Sequence, residues 1–77
     1  MNTTLTEHNI SIAILRGCEF ASVNIKTGEV FCESYCENHK DSIEISLPEP
    51  QKAGTETQKV SYARSEAKEI VSNLNSK

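Results

Sequence analysis

The strongest constraint on the fold is a short turn sequence, Asn24-Ile25-Lys26-Thr27-Gly28-Glu29. An asparagine side chain can accept hydrogen bonds from backbone amides a few residues further on. A glycine four positions later can adopt the left-handed conformation that closes a hairpin turn. Segments rich in β-branched and aromatic residues flank this turn, at 18–25 and 29–35. The sequence therefore predicts a β-hairpin with its turn at 24–29.

The register of this hairpin follows from placing Asn24 opposite Glu29. Four small or apolar residues then share one face, which we predict is the core face: Ala21, Val23, Val30 and Cys32. The opposite face carries three aromatic residues: Phe20, Phe31 and Tyr35.

Two further segments show the alternation of a β-strand. Ile10, Ile12 and Ile14 alternate within residues 9–16, which predicts a strand after a polar N-terminal lead at 1–8. We expect Gly17 to break or bulge that strand. A second alternation spans 42–47, with Ile43, Ile45 and Leu47 inward and Ser42, Glu44 and Ser46 outward. Pro48 and Pro50 end it, since proline cannot donate to a ladder.

The C-terminal part of the chain predicts one amphipathic helix over 55–75, after a linker at 48–54. Thr55 and Gln58 fit a capping box at its start. Apolar residues follow at three- and four-residue spacing: Val60, Ala63, Ala67, Ile70, Val71 and Leu74. This stripe of mostly small residues suits packing on a sheet, or a groove on a partner. We favour packing, because the strands need a cover.

These elements predict a single α+β domain over 1–77, in the order β-β-β-β-α. A small antiparallel sheet of 3–4 strands would occupy 9–47, with the C-terminal helix packed on one of its faces. The other face would keep apolar or aromatic groups, and such a face commonly serves as an interface.

The length and net charge of the chain limit the classes of function that it can have. A chain of 77 residues with 36% hydrophobic residues builds a core worth roughly 3–5 kcal/mol, too small to support a large catalytic cleft. The net charge of −3 argues against direct nucleic-acid binding. Within 17–47, six acidic residues outnumber two lysines. This segment is either a solvated face or an acidic patch for a basic partner, with Glu29, Glu33 and Glu37 as predicted contacts.

The cysteines and the N-terminus predict a cytoplasmic protein. The chain has three cysteines, Cys18, Cys32 and Cys36, and its start lacks the charge and apolar run of a signal peptide. No apolar stretch is long enough to span a membrane. We therefore expect free or metal-bound thiols in a reducing compartment.

One cluster resembles a metal site: Cys32-x₃-Cys36-x₂-His39, with Cys18 as a fourth ligand. The spacing is irregular and contains no CxxC motif, so we favour the interpretation that Cys32 is a small core residue and His39 lies in an exposed turn. Catalysis by Cys36 with His39 and Asp41 is a weaker interpretation, because an exposed turn offers no oxyanion donors.

The chain shows no phosphate-binding glycine loop and no hydrolase motif. We therefore predict a non-enzymatic interaction protein without a cofactor. It would be an accessory or inhibitory factor that docks on a macromolecular partner, and we expect that partner to be a protein. The contact would use the uncovered sheet face and the acidic hairpin, which carries Glu29, Glu33 and Glu37. A zinc-stabilised binding module using Cys32, Cys36 and His39 is one alternative. A homodimer formed through the sheet is another.

Overall fold

The computed structural model of the chain describes residues 3–32 and 42–75. Along the chain, the elements are α1 (Thr3–Leu15), β1 (Phe20–Val23), β2 (Val30–Phe31), β3 (Ile43–Ser46) and α2 (Glu56–Asn75). The three strands form one antiparallel sheet in the order β2-β1-β3. The predicted α+β class, the small antiparallel sheet and the C-terminal helix are confirmed. The predicted order β-β-β-β-α is wrong, because the first element is a helix.

The predicted strand at 9–16 and most of the polar lead at 1–8 form helix α1 instead. Ile10 and Ile14 are both fully buried, whereas Ile12 between them is only half-buried. A separation of four residues returns to the same face in a strand and in a helix, so the isoleucines fit both periods. The remaining buried positions distinguish the two, since Thr6 and Ala13 join Ile10 and Ile14 at helical spacing.

Gly17 ends helix α1 and does not interrupt a strand. Its φ angle is +83°, a left-handed conformation that side chains with a Cβ adopt at a cost. The Gly17 amide donates to the Ile14 carbonyl at 3.0 Å, and the Cys18 amide donates to the Ala13 carbonyl at 3.2 Å. These two bonds are the pair that defines a Schellman helix end. The chain therefore turns sharply at Gly17 and enters β1 three residues later.

The central strand β1 has the predicted core face. Ser22 pairs with Phe31 and Val23 with Val30, as the hairpin register predicts. Ala21 and Val23 are completely buried, whereas Val30 is half-buried and Cys32, predicted to be in the core, is exposed. On the other side of β1, Ala21 pairs with Ile45 and Val23 with Ile43. The alternation predicts that Ile43 points inward, yet it is 44% exposed because it lies at the end of an edge strand.

Helix α2 begins with the predicted capping box. The Thr55 amide donates to Gln58 Oε1 at 3.0 Å, and the Gln58 amide donates to Thr55 Oγ1 at 3.2 Å. This reciprocal pair satisfies backbone donors that the first turn of a helix leaves without partners. The helix itself starts at Glu56, one residue inside the predicted boundary.

The small residues of α2 pack mainly against α1, and not against the sheet alone as predicted. Ala63 and Ala67 are completely buried, and Val71 is 2% exposed. Alanine side chains are small, so the backbones of the two helices can approach closely. Ile10 and Ile14 of α1 then fill the remaining space between the helices and the sheet. One core results, built from these fully or almost fully buried residues: Ile10, Ile14, Val23, Ala63, Ala67 and Val71. Neither helix is long and apolar enough to cross a bilayer.

We predict that Ala67→Leu destabilises the protein by about 1–3 kcal/mol, because the helix–helix contact has no room for three more carbons. Urea unfolding followed by circular dichroism measures the change. Ser65→Leu is the matched control, since Ser65 is exposed on the same helix. Equal unfolding midpoints for the two variants would contradict the packing of α2 on α1.

Candidate functional site

The side chain of Asn24 organises the hairpin turn. Its Oδ1 atom accepts hydrogen bonds from the amides of Lys26 at 3.0 Å and Thr27 at 3.3 Å. The Gly28 amide donates to the Asn24 carbonyl at 2.7 Å, and the Asn24 amide donates to the Glu29 carbonyl at 2.8 Å. Gly28 adopts a left-handed φ of +83°. The predicted hairpin at 24–29 is therefore confirmed, together with the role of its asparagine and glycine.

Helix α1 holds this turn in place. Asn9 Nδ2 donates to the Gly28 carbonyl at 2.8 Å. The Leu5 side chain lies so close to Gly28 that an added Cβ would be 3.1 Å from it. The glycine is thus required both by its backbone conformation and by the contact with the helix. As a result, the acidic hairpin has a fixed position relative to the helical layer.

We call the surface of the sheet that faces away from the helices the outer face. Side chains alternate along each strand, so the register and the Asn24–Glu29 pair assign these residues to it: Phe20, Ser22, Glu29, Phe31, Glu44 and Ser46. Phe20 is 45% exposed, the largest exposed fraction of any large apolar side chain in the described parts of the chain. Ser22 is fully buried at the centre, with Phe31 and Glu44 beside it on the flanking strands.

The outer face combines aromatic rings with negative charge. Glu29 and Glu44 are both exposed on it. Within residues 3–32 and 42–75, the register assigns no lysine or arginine to this face. The described residues of the outer face therefore include two carboxylates and two aromatic rings, and such a combination can complement a cationic surface.

The structure brings together half of the predicted partner contacts. Phe20, Phe31 and Glu29 share the outer face. Tyr35, Glu33 and Glu37 lie outside the described residues. Glu44 is absent from the predicted contacts, although the alternation in 42–47 already points its side chain outward. Only the pairing of β3 with β1 shows that Glu44 and Phe31 flank the same central residue.

Cys18 and Cys32 form a disulfide bond, with their Cα atoms 5.8 Å apart. The expectation that these thiols are free or metal-bound is therefore wrong. If the first hairpin strand extended back to Cys18, the alternation would place Cys18 on the face opposite Cys32, away from the bond. The helix end at Gly17 removes this obstacle, because Cys18 belongs to a turn and approaches β2 from the helical layer.

The disulfide bears on the predicted zinc site. A zinc ligand is a thiolate, and Cys32 has none while the bond is intact. Cys36 and His39 lie outside the described residues, as does Asp41 of the weaker catalytic interpretation. In the described part of the chain, no group of three or more potential ligands converges. The site at Cys32, Cys36 and His39 stays a prediction, and it requires the reduced protein.

The cytoplasmic location also stays a prediction. Disulfides persist mainly in oxidising compartments, and cytosolic thiol systems reduce most of them. The Cys18–Cys32 bond therefore speaks against the reducing compartment that the cysteine count suggests.

Two surface grooves of about 270 Å³ each occur in the described regions. The first lies between the helices, lined by Thr4, Glu7, His8, Arg64 and Lys68. The second runs from the helix end at Gly17 to the prolines of the linker and includes Cys18, Glu19 and Lys52. The sulfur of Cys18 is bonded to Cys32, so the second groove holds no free thiol nucleophile.

Comparison of the chain with protein-family models, with curated proteins and with solved structures gave no match.

We predict that the double variant Cys18→Ser/Cys32→Ser loses about 3 kcal/mol of unfolding free energy, as expected for a cross-link of this sequence separation. The bond joins residues 14 positions apart and limits the unfolded ensemble. Urea unfolding in the absence of reductant measures the loss.

A Cys36→Ser variant keeps the bonded pair and is the matched control. Dithiothreitol should lower the stability of Cys36→Ser to that of the double variant and should leave the double variant unchanged. A reductant effect of equal size on both variants would contradict the disulfide.

Proposed function

We propose that this protein is a non-enzymatic interaction protein, an accessory or inhibitory factor that docks on a protein partner through its outer face and acidic hairpin. One observation carries the proposal. Phe20 is 45% exposed on the sheet face opposite the helices, and Glu29 and Glu44 are assigned to the same face.

The stability of the domain does not account for the exposure of Phe20. The core is closed by the two helices on the other side of the sheet, and Phe20 takes no part in it. Burial of an exposed aromatic ring against a partner is energetically favourable. Aromatic residues are also enriched among the residues that dominate binding energy at interfaces. The ring of Phe20 is therefore the proposed anchor of the interface.

The negative charges on the outer face indicate what kind of surface the partner presents. Glu29 and Glu44 favour a surface that carries lysine or arginine around an apolar pocket. Arginine in particular can stack on an aromatic ring and pair with a carboxylate. The proposed partner is therefore a basic protein surface with an apolar recess for Phe20.

The same charge disfavours the alternative of a homodimer through this face. Two copies placed face to face would bring the carboxylates of Glu29 and Glu44 toward their equivalents, and like charges at an interface cost several kcal/mol. The zinc-stabilised module remains an alternative for the reduced protein only, because it needs the Cys32 thiolate.

Cross-linking and affinity purification from the native host test the proposal. We predict that Phe20→Ser and Glu44→Lys each reduce partner recovery at least about tenfold, as expected when an interface loses an aromatic anchor or gains a repelled charge. Leu15→Ser is the matched control, since Leu15 is 40% exposed on helix α1.

Loss of the partner with Leu15→Ser and its retention with Phe20→Ser would overturn the choice of surface. Recovery that does not fall with rising salt would contradict the role assigned to the carboxylates. A dimer mass for the purified protein by light scattering, reduced to a monomer by Phe20→Ser, would replace the proposal with the homodimer.

A further inference from the structure

The groove between the two helices has a composition that the outer face and the docking proposal leave unexplained. Arg64 and Lys68 of α2 line it from one side, and Thr4, Glu7 and His8 of α1 line it from the other. Its volume is about 270 Å³, close to the lower limit for pockets that hold small ligands. On a chain of net charge −3, two cationic side chains converge here.

The spacing of Arg64 and Lys68 lowers the stability of helix α2 itself. Arg64 and Lys68 are four residues apart, where like charges repel along a helix surface. The positions three and four residues away from either one carry no acidic residue: Val60, Ser61, Ser65, Ala67, Val71 and Ser72. Helix propensity and pairing within α2 therefore do not explain two adjacent positive charges.

Other elements do not neutralise them either. Within residues 3–32 and 42–75, no ion pair involves Arg64 or Lys68, and both side chains are exposed. Glu7 is the one acidic residue in the groove, and its carboxylate forms no ion pair with them in the described structure. In the described structure the groove thus presents two charged donors that form no ion pair with its one carboxylate.

We propose that this groove binds a phosphate group, either as inorganic phosphate or as part of a small phosphomonoester. The planar guanidinium of Arg64 can donate two parallel hydrogen bonds to phosphate oxygens, and the Lys68 ammonium contributes a compact second charge. Thr4 and His8 can add donors from α1. Two positive charges match a dianion better than a monocarboxylate.

Glu7 allows a second test of the groove, with an effect opposite in sign to that of the cations. A carboxylate in the groove repels a bound phosphate, so removing its charge should strengthen binding while the cations are unchanged. Glu7→Gln should therefore act in the opposite direction to changes at Arg64 and Lys68.

The site is independent of the outer face. It lies in the helical layer, on the other side of the sheet from Phe20. A variant that abolishes docking through Phe20 should keep phosphate binding, so failure of one proposal does not decide the other.

The test is a titration of the oxidised full chain with inorganic phosphate, phenyl phosphate and acetate, followed by NMR of backbone amides. We expect saturable shifts at residues lining the groove with both phosphates at millimolar concentration. Arg64→Gln and Lys68→Gln should each weaken the affinity about 3- to 10-fold, the range for charge-assisted hydrogen bonds at an exposed site. Glu7→Gln should strengthen it about 2-fold.

Lys52→Gln is the matched control, because it removes the same charge from an exposed position in the linker. It should leave the affinity unchanged. Tighter binding of phenyl phosphate would identify the monoester as the ligand class, and equal binding would identify the free phosphate group. An equal loss with Lys52→Gln and Arg64→Gln, acetate binding as tight as phosphate, or no shifts at the groove would each overturn the proposal.

Discussion

The contact between α1 and α2 is the interaction on which the rest of the structure depends. A helix of 13 residues is marginal in isolation, and three strands of two to four residues cannot form a stable sheet without a cover. Ala63 and Ala67 let the helices approach closely, and Ile10 and Ile14 then reach both α2 and the central strand. Each element is therefore stable only because the others bury it.

This shared core fixes the geometry of both proposed sites. Asn9 and Leu5 project from α1 onto the turn glycine of the hairpin. The helix that supplies the core thus also positions the acidic end of the outer face. The same helix contributes Glu7 and His8 to the groove. One rigid element therefore supports an aromatic, acidic surface on one layer and a cationic recess on the other.

The parts of the fold that local chemistry specifies could be predicted from the sequence. The hairpin depends on Asn24 and Gly28, and the start of α2 depends on Thr55 and Gln58. In both cases the side chains bond to backbone groups within five residues, so no knowledge of the tertiary structure is needed. The register of the hairpin followed from its turn and placed Ala21 and Val23 in the core.

Helix α1 could not be recognised by the same means. Its apolar residues surround much of the helix, and Thr6 and Ser11 are buried while Leu15 is 40% exposed. The hydrophobic pattern is therefore not amphipathic, and the isoleucine alternation dominates it. The Leu-Arg-Gly sequence at the helix end was the available signal, since a glycine after a basic residue is typical of a helix C-terminus.

The disulfide depends on that missed helix, because only the turn at Gly17 brings Cys18 to β2. The candidate site was therefore half predictable: its aromatic residues and Glu29 follow from the hairpin, whereas Glu44 and the bonded cysteines require the tertiary structure.

The disulfide also changes what cleavage of the backbone would do. Cys18 and Cys32 close a covalent ring that contains β1, the whole turn and β2. Lys26 lies exposed at the tip of that turn, the kind of position at which proteases nick folded domains. A cut after Lys26 would leave the two fragments tethered through sulfur, so that α1 and α2 would stay attached to the same covalent molecule. A single nick after Lys26 would thus not release either half of the chain.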